Sequence, residues 1–338
     1  MRYHHGDAYF FMRRQFEYLV AGIVVVVAVA SFDYHKWRDH EFLSWAFFAI
    51  VFALLVAVLF SRAINGSHRW ISVGPVRLQP SELAKLAVVI VVAVWQDKAG
   101  YRVELFKRGA LCPAVIIGVL ATPIMMEPDF GSVMVVGLVG FLVMFVSGAR
   151  LLHMLPFAVL GGLCVAYKVL TNANRVARLF DERALYQVKM ALAAIGNGGL
   201  WGVGLGESMQ KQLYLPEAHT DFVFAVGAEE LGIVFSVGVV LLFLAFFGLS
   251  VYIARKATDR FGRFLVIGMT FIIFFQAMFN IGVVCKALPT KGMALPFFSY
   301  GGTNLLSAFF AVGTILSVGI HSYRDKKHML GRKVLMRA

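Results

Sequence analysis

Long apolar runs separated by short polar breaks dominate the chain. Nine stretches stand out: 16–32, 43–61, 79–96, 110–126, 131–148, 153–171, 222–251, 263–283 and 303–320. Each approaches or exceeds the roughly 17–25 residues a helix needs to cross a bilayer. The runs are continuous and show no period-two alternation, so they predict helices and not the strands of a barrel. The expected fold is all-α: a polytopic membrane protein with nine transmembrane helices in one integral membrane domain, 1–338. The first run lacks a small-residue cleavage site and is followed by polar Asp33–Tyr34–His35–Lys36, so it reads as a span and not as a signal peptide.

Composition sharpens this picture. Hydrophobic residues make up 59% and charged residues 15% of the 338, against about 25% charged in an average soluble domain. So little polar surface cannot cover a water-soluble fold of this length. A soluble enzyme, a disordered chain and a disulfide scaffold are all excluded. The net charge of +13 points to cationic loops beside anionic lipid and not to nucleic acid. With the C-terminus placed in the cytoplasm, the inner segments carry 17 Lys and Arg and the short outer ones 8, which fixes the orientation. The basic tail from Arg324 to Arg337 reads as part of that signal. Cys112, Cys164 and Cys285 form no CxxC pair, so neither zinc nor a structural disulfide is indicated.

Segment 172–221 is the long connection, placed outside the membrane by this topology. It holds an amphipathic stretch at 186–192 and a glycine-rich run at 196–206. The glycines miss the GxGxxG register and no Walker lysine follows, so no nucleotide loop is expected; a tight turn with close backbone packing is the simpler reading. The segment ends Leu215–Pro216–Glu217–Ala218–His219–Thr220–Asp221 at the mouth of a span. Glu217 and Asp221 suit either a solvated helix start or a general base whose pKa is lifted by partial desolvation at the membrane boundary. Glu82, Lys85, Glu127, Asp129, Glu229 and Glu230 lie at membrane depth, where charges face partners or cavities. Glu82 and Lys85, at i and i+3, read as an ion pair, structural or functional. Glu127–Pro128–Asp129 reads as a turn or part of a site, and Arg69–Trp70 as an interfacial anchor or a ligand contact. Glycines and prolines at 284–302 predict non-helical backbone lining a cavity or packed on protein. In this topology the clusters at 65–85, 127–129, 215–221 and 286–302 all share the outer face.

These motifs, in this order, resemble the SEDS family (shape, elongation, division and sporulation proteins), whose members include FtsW, RodA and SpoVE. The resemblance is carried by Asn65–Gly66 with Arg69–Trp70–Ile71, Gln79 to Lys85, Glu127–Pro128–Asp129 with Gly131, and Leu215 to Phe222. It continues through Glu229–Glu230–Leu231–Gly232, Asn280–Ile281–Gly282 and Ser299–Tyr300–Gly301–Gly302. Ala218 and Leu288–Pro289–Thr290–Lys291–Gly292 resemble the division branch, FtsW. Family members have ten spans; Gly6 to Gln15 resembles the loop before the second, so the first span has no counterpart among these nine. The stretch from Asn174 to Tyr186 is also shorter than the family's.

The resemblance implies a peptidoglycan glycosyltransferase in the bacterial plasma membrane. Its substrate would be lipid II, a disaccharide-pentapeptide on undecaprenyl pyrophosphate, polymerised with inversion during septal synthesis. Asp221 is the expected general base. Arg69, Glu82, Lys85, Asp129, Glu217, His219, Thr220, Lys291, Ser299, Tyr300, Gly301 and Gly302 are the expected substrate-binding residues, on the extracytoplasmic face. A divalent cation (Mg or Mn) held among Asp129, Glu217 and Asp221 is the expected cofactor, with no nucleotide. A class B penicillin-binding protein transpeptidase and other divisome membrane proteins are the expected partners. A lipid II flippase, an elongation polymerase of the RodA type and a non-catalytic division scaffold stand as the alternatives.

Overall fold

A computed structural model describes residues 10–61, 69–73, 76–127, 129–171, 182–209, 220–288 and 292–335. The regular elements are α1 (Phe10–Ser31), α2 (His35–Asp39), α3 (Glu41–Leu59), a hairpin β1 (Ile71–Val73) and β2 (Val76–Leu78), and α4 (Pro80–Ala99). A 3-10 turn (Gly100–Glu104) and a π turn (Phe106–Leu111) lead into α5 (Cys112–Met126), α6 (Phe130–Ser147) and α7 (Leu151–Leu170). Then come α8 (Glu182–Gly198), α9 (Val223–Lys256), α10 (Arg260–Val284) and α11 (Gly302–Leu335).

Among the described residues eight helices are long and apolar enough to cross a membrane. The remaining stretch expected from sequence, 79–96, forms the 20-residue helix α4. It carries Glu82, Lys85, Asp97 and Lys98, which keep it out of the apolar class, and it is buried along nearly its whole length. A helix enclosed on all sides needs no lipid-facing stripe. By contrast, α7 buries Met154 alone, and its outward Leu and Val side chains suit a lipid exterior. Three boundaries differ from the sequence reading. Segment 172–221 contains α8, 17 residues long. The span expected at 222–251 runs to Lys256 and is broken at Gly232, with φ 75° and ψ −167°. The last helix continues as far as Leu335.

The chain divides into two compact units. One, the α4 unit, comprises 21–162, 248–272 and 306–338; the other, the Asp221 unit, comprises 1–20, 163–247 and 273–305. In the α4 unit, α4 packs on α3, α5 and α6. Close approach is made possible by Gly140, whose absent Cβ leaves room for Ile117, and by Gly268, which does the same for Val89. Asp129 caps α6 at its start, and Gly148, with φ 98°, closes its end.

Contacts within the α4 unit gather the basic inter-helix segments at one end. Tyr34 Oη donates to Asp259 Oδ1 at 2.8 Å, and Arg38 pairs with Asp259 at 3.1 Å. Arg260 donates to the Ser147 carbonyl, Arg150 pairs with Glu104, and Lys98 pairs with Glu41. The sequence assigned these segments to one side of the membrane, and they are joined here.

Candidate active site

In the α4 unit the residues expected to form a site fall into three linked groups. Pro80 starts α4 at a position where its missing N–H costs nothing, which sets Ser81, Glu82 and Lys85 in its first turns. Lys85 Nζ lies 2.7 Å from Glu82 Oε1, and Ser307 Oγ donates to Glu82 Oε2 at 3.0 Å. Lys85 is 1% exposed, so this pair is sealed. Asp129 Oδ2 accepts from Ser132 Oγ at 2.7 Å, from Ser81 Oγ at 3.2 Å and from Gln79 Nε2 at 3.4 Å. It is therefore both the cap of α6 and the tie between that cap and the start of α4. Arg69 Nε donates to the Glu127 carbonyl at 3.3 Å. The Glu127 carboxylate is buried, and neither of its oxygens has a hydrogen-bond partner. Burial first, and then the nearby Asp129 charge, push its pKa up to about 8, against an opposing pull from Arg69.

In the Asp221 unit a second constellation forms at the head of α9. Asp221 sits two residues before the first helical residue and is partly exposed. Asn280 Nδ2 donates to the Asp221 carbonyl at 2.8 Å and to the Met293 carbonyl at 2.6 Å. The buried Ser299 hydroxyl donates to the Thr220 carbonyl and accepts from Leu295 N–H, the latter at 2.7 Å. The irregular segment after residue 291 is thereby fastened to the turn that carries Asp221. It includes Phe297 at φ 69°, a left-handed conformation uncommon for a bulky residue. A Cβ on Gly292 would stand 2.2 Å from Asp221 Oδ2, so glycine is what lets backbone approach the carboxylate.

The glycine-rich run has a structural job in the same unit. At the Gly232 break, the Glu229 and Glu230 carbonyls accept from Val203 N–H at 3.0 Å and Gly204 N–H at 3.1 Å. In return Ile233 N–H donates to the Gly199 carbonyl at 2.9 Å. Polar backbone freed by a break at membrane depth must be satisfied by protein, and this loop does it. The Glu229 carboxylate, also buried, accepts from the Ser208 hydroxyl.

The sequence profile of the FtsW/RodA/SpoVE cell cycle proteins matches residues 1–324. The chain belongs to this family. A protein named probable peptidoglycan glycosyltransferase FtsW, from Geobacter metallireducens, is 35% identical over 320 residues, covering 92% of this chain and 85% of that one. Stage V sporulation protein E of Bacillus subtilis is 36% identical over 330 residues, covering 95% and 90%. Among solved structures, a chain from a peptidoglycan synthase complex that coordinates polymerization and crosslinking superposes with a TM-score of 0.76 at 26% identity, covering 96% of this chain and 93% of that one. The rod shape determining protein RodA of Thermus thermophilus gives 0.69 at 26% identity, covering 94% and 90%.

Against the site expected for an FtsW/RodA/SpoVE protein, the structure brings together Glu82 with Lys85, and Arg69 with the Glu127–Asp129 turn. Separately, it joins Thr220 and Asp221 to the segment that carries Ser299. Tyr300 is half-buried, and Gly302, at the first residue of α11, lies against the Tyr18 ring. Gly301 precedes it in that turn. Glu217, His219 and Lys291 lie outside the described residues. Sequence reasoning placed neither Asn280 nor Gly292 in the site. The signal was there: a lone Asn deep in an apolar helix must find backbone to bond, and a glycine directly after Lys291 marks a close approach.

Proposed function

We propose that this chain polymerises lipid II into glycan strands during septal cell-wall synthesis, with Asp221 as the general base. The observation that carries this reading is the Asp221 turn itself. Asn280 and Ser299 hold its backbone from two sides, the residue is partly exposed, and its carboxylate lies against the backbone of Gly292. The names of the FtsW relatives support the activity.

Asp221 takes the proton from the 4-hydroxyl of the acceptor GlcNAc. That oxygen forms a bond to the anomeric carbon of the growing chain. The bond from that carbon to the pyrophosphate oxygen breaks, and its electron pair leaves with undecaprenyl pyrophosphate. Attack opposite the leaving group inverts the anomeric centre. Among the described residues no three carboxylate, imidazole or thiolate side chains converge to hold a metal. Of the three acids expected to do so, Glu217 lies outside those residues, and no step here is routed through a cation.

The basic segments joined at one end of the α4 unit support a cytoplasmic placement for that end and for the C-terminus. Asp221 precedes a helix that finishes at basic Arg255 and Lys256, which supports an extracytoplasmic site. A class B penicillin-binding protein would supply the crosslinking, within a set of divisome membrane proteins.

The test is lipid II polymerisation by the purified chain with its transpeptidase partner. Asp221→Asn should lose at least about 100-fold in rate, the usual worth of a positioned base, while melting like the parent. Polymer formed at parental rate by the folded variant would end the assignment. Lipid II translocation without polymer would favour the flippase instead.

A further inference from the structure

A groove of about 520 Å³ opens in the α4 unit, between the first turns of α3, the last turns of α4 and the π turn. That is within the roughly 300–1,000 Å³ of small-molecule sites, and none of the residues assigned to the polymerase site lines it. Trp45 and Trp95 line it, Lys107 and Arg108 stand at its rim, and Val91 and Val94 line its inner part. Glu41 and Lys98 also line it but pair with each other. Lys107 and Arg108 are exposed and form no ion pair with a described residue, which leaves two uncompensated positive charges.

The backbone that carries those two cations is held in place. A π turn widens the helix and diverts its carbonyls. Trp95 Nε1 donates to the Arg108 carbonyl and Gln96 Nε2 to the Gly109 carbonyl, each at 2.9 Å. Gly109 has no alternative, since a Cβ there would sit 1.6 Å from the Val103 carbonyl oxygen. The groove is polar at one end and apolar at the other. From Lys98 back to Val91, α4 rises roughly 10 Å, passing from charged rim to buried valine.

We propose that this groove binds the headgroup of an anionic phospholipid. The phosphodiester would lie against Lys107 and Arg108, with the glycerol and the first acyl carbons along the faces of Trp45 and Trp95. Tryptophan at a membrane boundary and cations between helices suit that ligand. A free phosphate would leave the apolar part of the groove unused.

The experiment uses the full chain in vesicles, with Trp37, Trp70 and Trp201 changed to Phe so that Trp45 and Trp95 alone report. Fluorescence quenching is compared for brominated-chain phosphatidylglycerol and brominated-chain phosphatidylcholine. Each cation near an anionic lipid is worth about a fivefold preference, so the pair predicts roughly 25-fold in favour of phosphatidylglycerol. Lys107→Gln with Arg108→Gln should bring the ratio close to one. The charge-matched pair Arg324→Gln with Lys327→Gln should leave it unchanged. Equal quenching by the two lipids overturns the proposal, as does a preference that survives the groove substitutions or falls equally with the tail substitutions. Relief of quenching by inorganic phosphate also overturns it, by naming a soluble anion as the ligand.

Discussion

Replacing Gly232 with alanine tests whether the break in α9 is built by backbone or merely tolerated. The residue sits at φ 75° and ψ −167°, a region essentially reserved for glycine and costing other residues about 1–3 kcal/mol. The new Cβ would stand 2.4 Å from the Leu200 carbonyl oxygen and 2.6 Å from the Gly202 nitrogen. Both are backbone atoms and cannot swing aside. The loop must retreat, and with it go the bonds from Val203 and Gly204 to the Glu229 and Glu230 carbonyls and from Ile233 to Gly199. At about 1 kcal/mol for each bond, the total is roughly 4–6 kcal/mol. Thermal melting of the detergent-purified protein should show a drop of roughly 5 °C or more. Gly238→Ala is the control, because it lies in the same helix and its Cβ would meet nothing within 4 Å. If Gly232→Ala melts like Gly238→Ala, the loop is not what satisfies the break.

Two further outcomes follow from the same geometry. Gly292→Ala places a methyl against Asp221 Oδ2; it should lower the rate of lipid II polymerisation about tenfold or more with no change in melting, and an unchanged rate removes Gly292 from a positioning role. Glu127, with its pKa pushed up to about 8, stays protonated in the folded protein while its unfolded counterpart ionises near 4.5. The unfolded state then binds fewer protons between these values, so stability falls as pH rises from about 5 to 8 and levels off above, by a few kcal/mol in all. Glu127→Gln should match the parent at pH 5 and melt higher at pH 8; an equal slope in both proteins contradicts the assignment.

The helices were legible because lipid imposes one rule on every span: about twenty apolar residues with internal backbone bonds. Where that rule is relaxed, sequence reading blurs. The α4 stretch was found by its apolar run, yet its charges gain their meaning only from Ser307, 225 residues away in the chain. The break in α9 was not foreseen: Glu229 and Glu230 marked the place by their charge, but the partner that makes the break tolerable is a separate glycine loop. That loop, in turn, was expected to pack closely without its partner being named. The helix at 182–198 was signalled only by a short amphipathic stretch, since it has too few apolar residues to read as a span.

Asp129 and Glu127 illustrate how two carboxylates two positions apart acquire different surroundings. Asp129 begins a helix, where free amides and neighbouring hydroxyls supply donors, here from Ser81 and Ser132. Glu127 ends the preceding helix, where the exposed groups are carbonyls and no donor faces its oxygens; burial then favours the proton. The same reasoning applies to Glu82 and to Asp221, each within its own unit. Glu82 has Lys85 and Ser307 closed around it, so it holds helices together. Asp221 is fixed through its backbone by Asn280 and, through Thr220, by Ser299, and as a residue it is partly exposed.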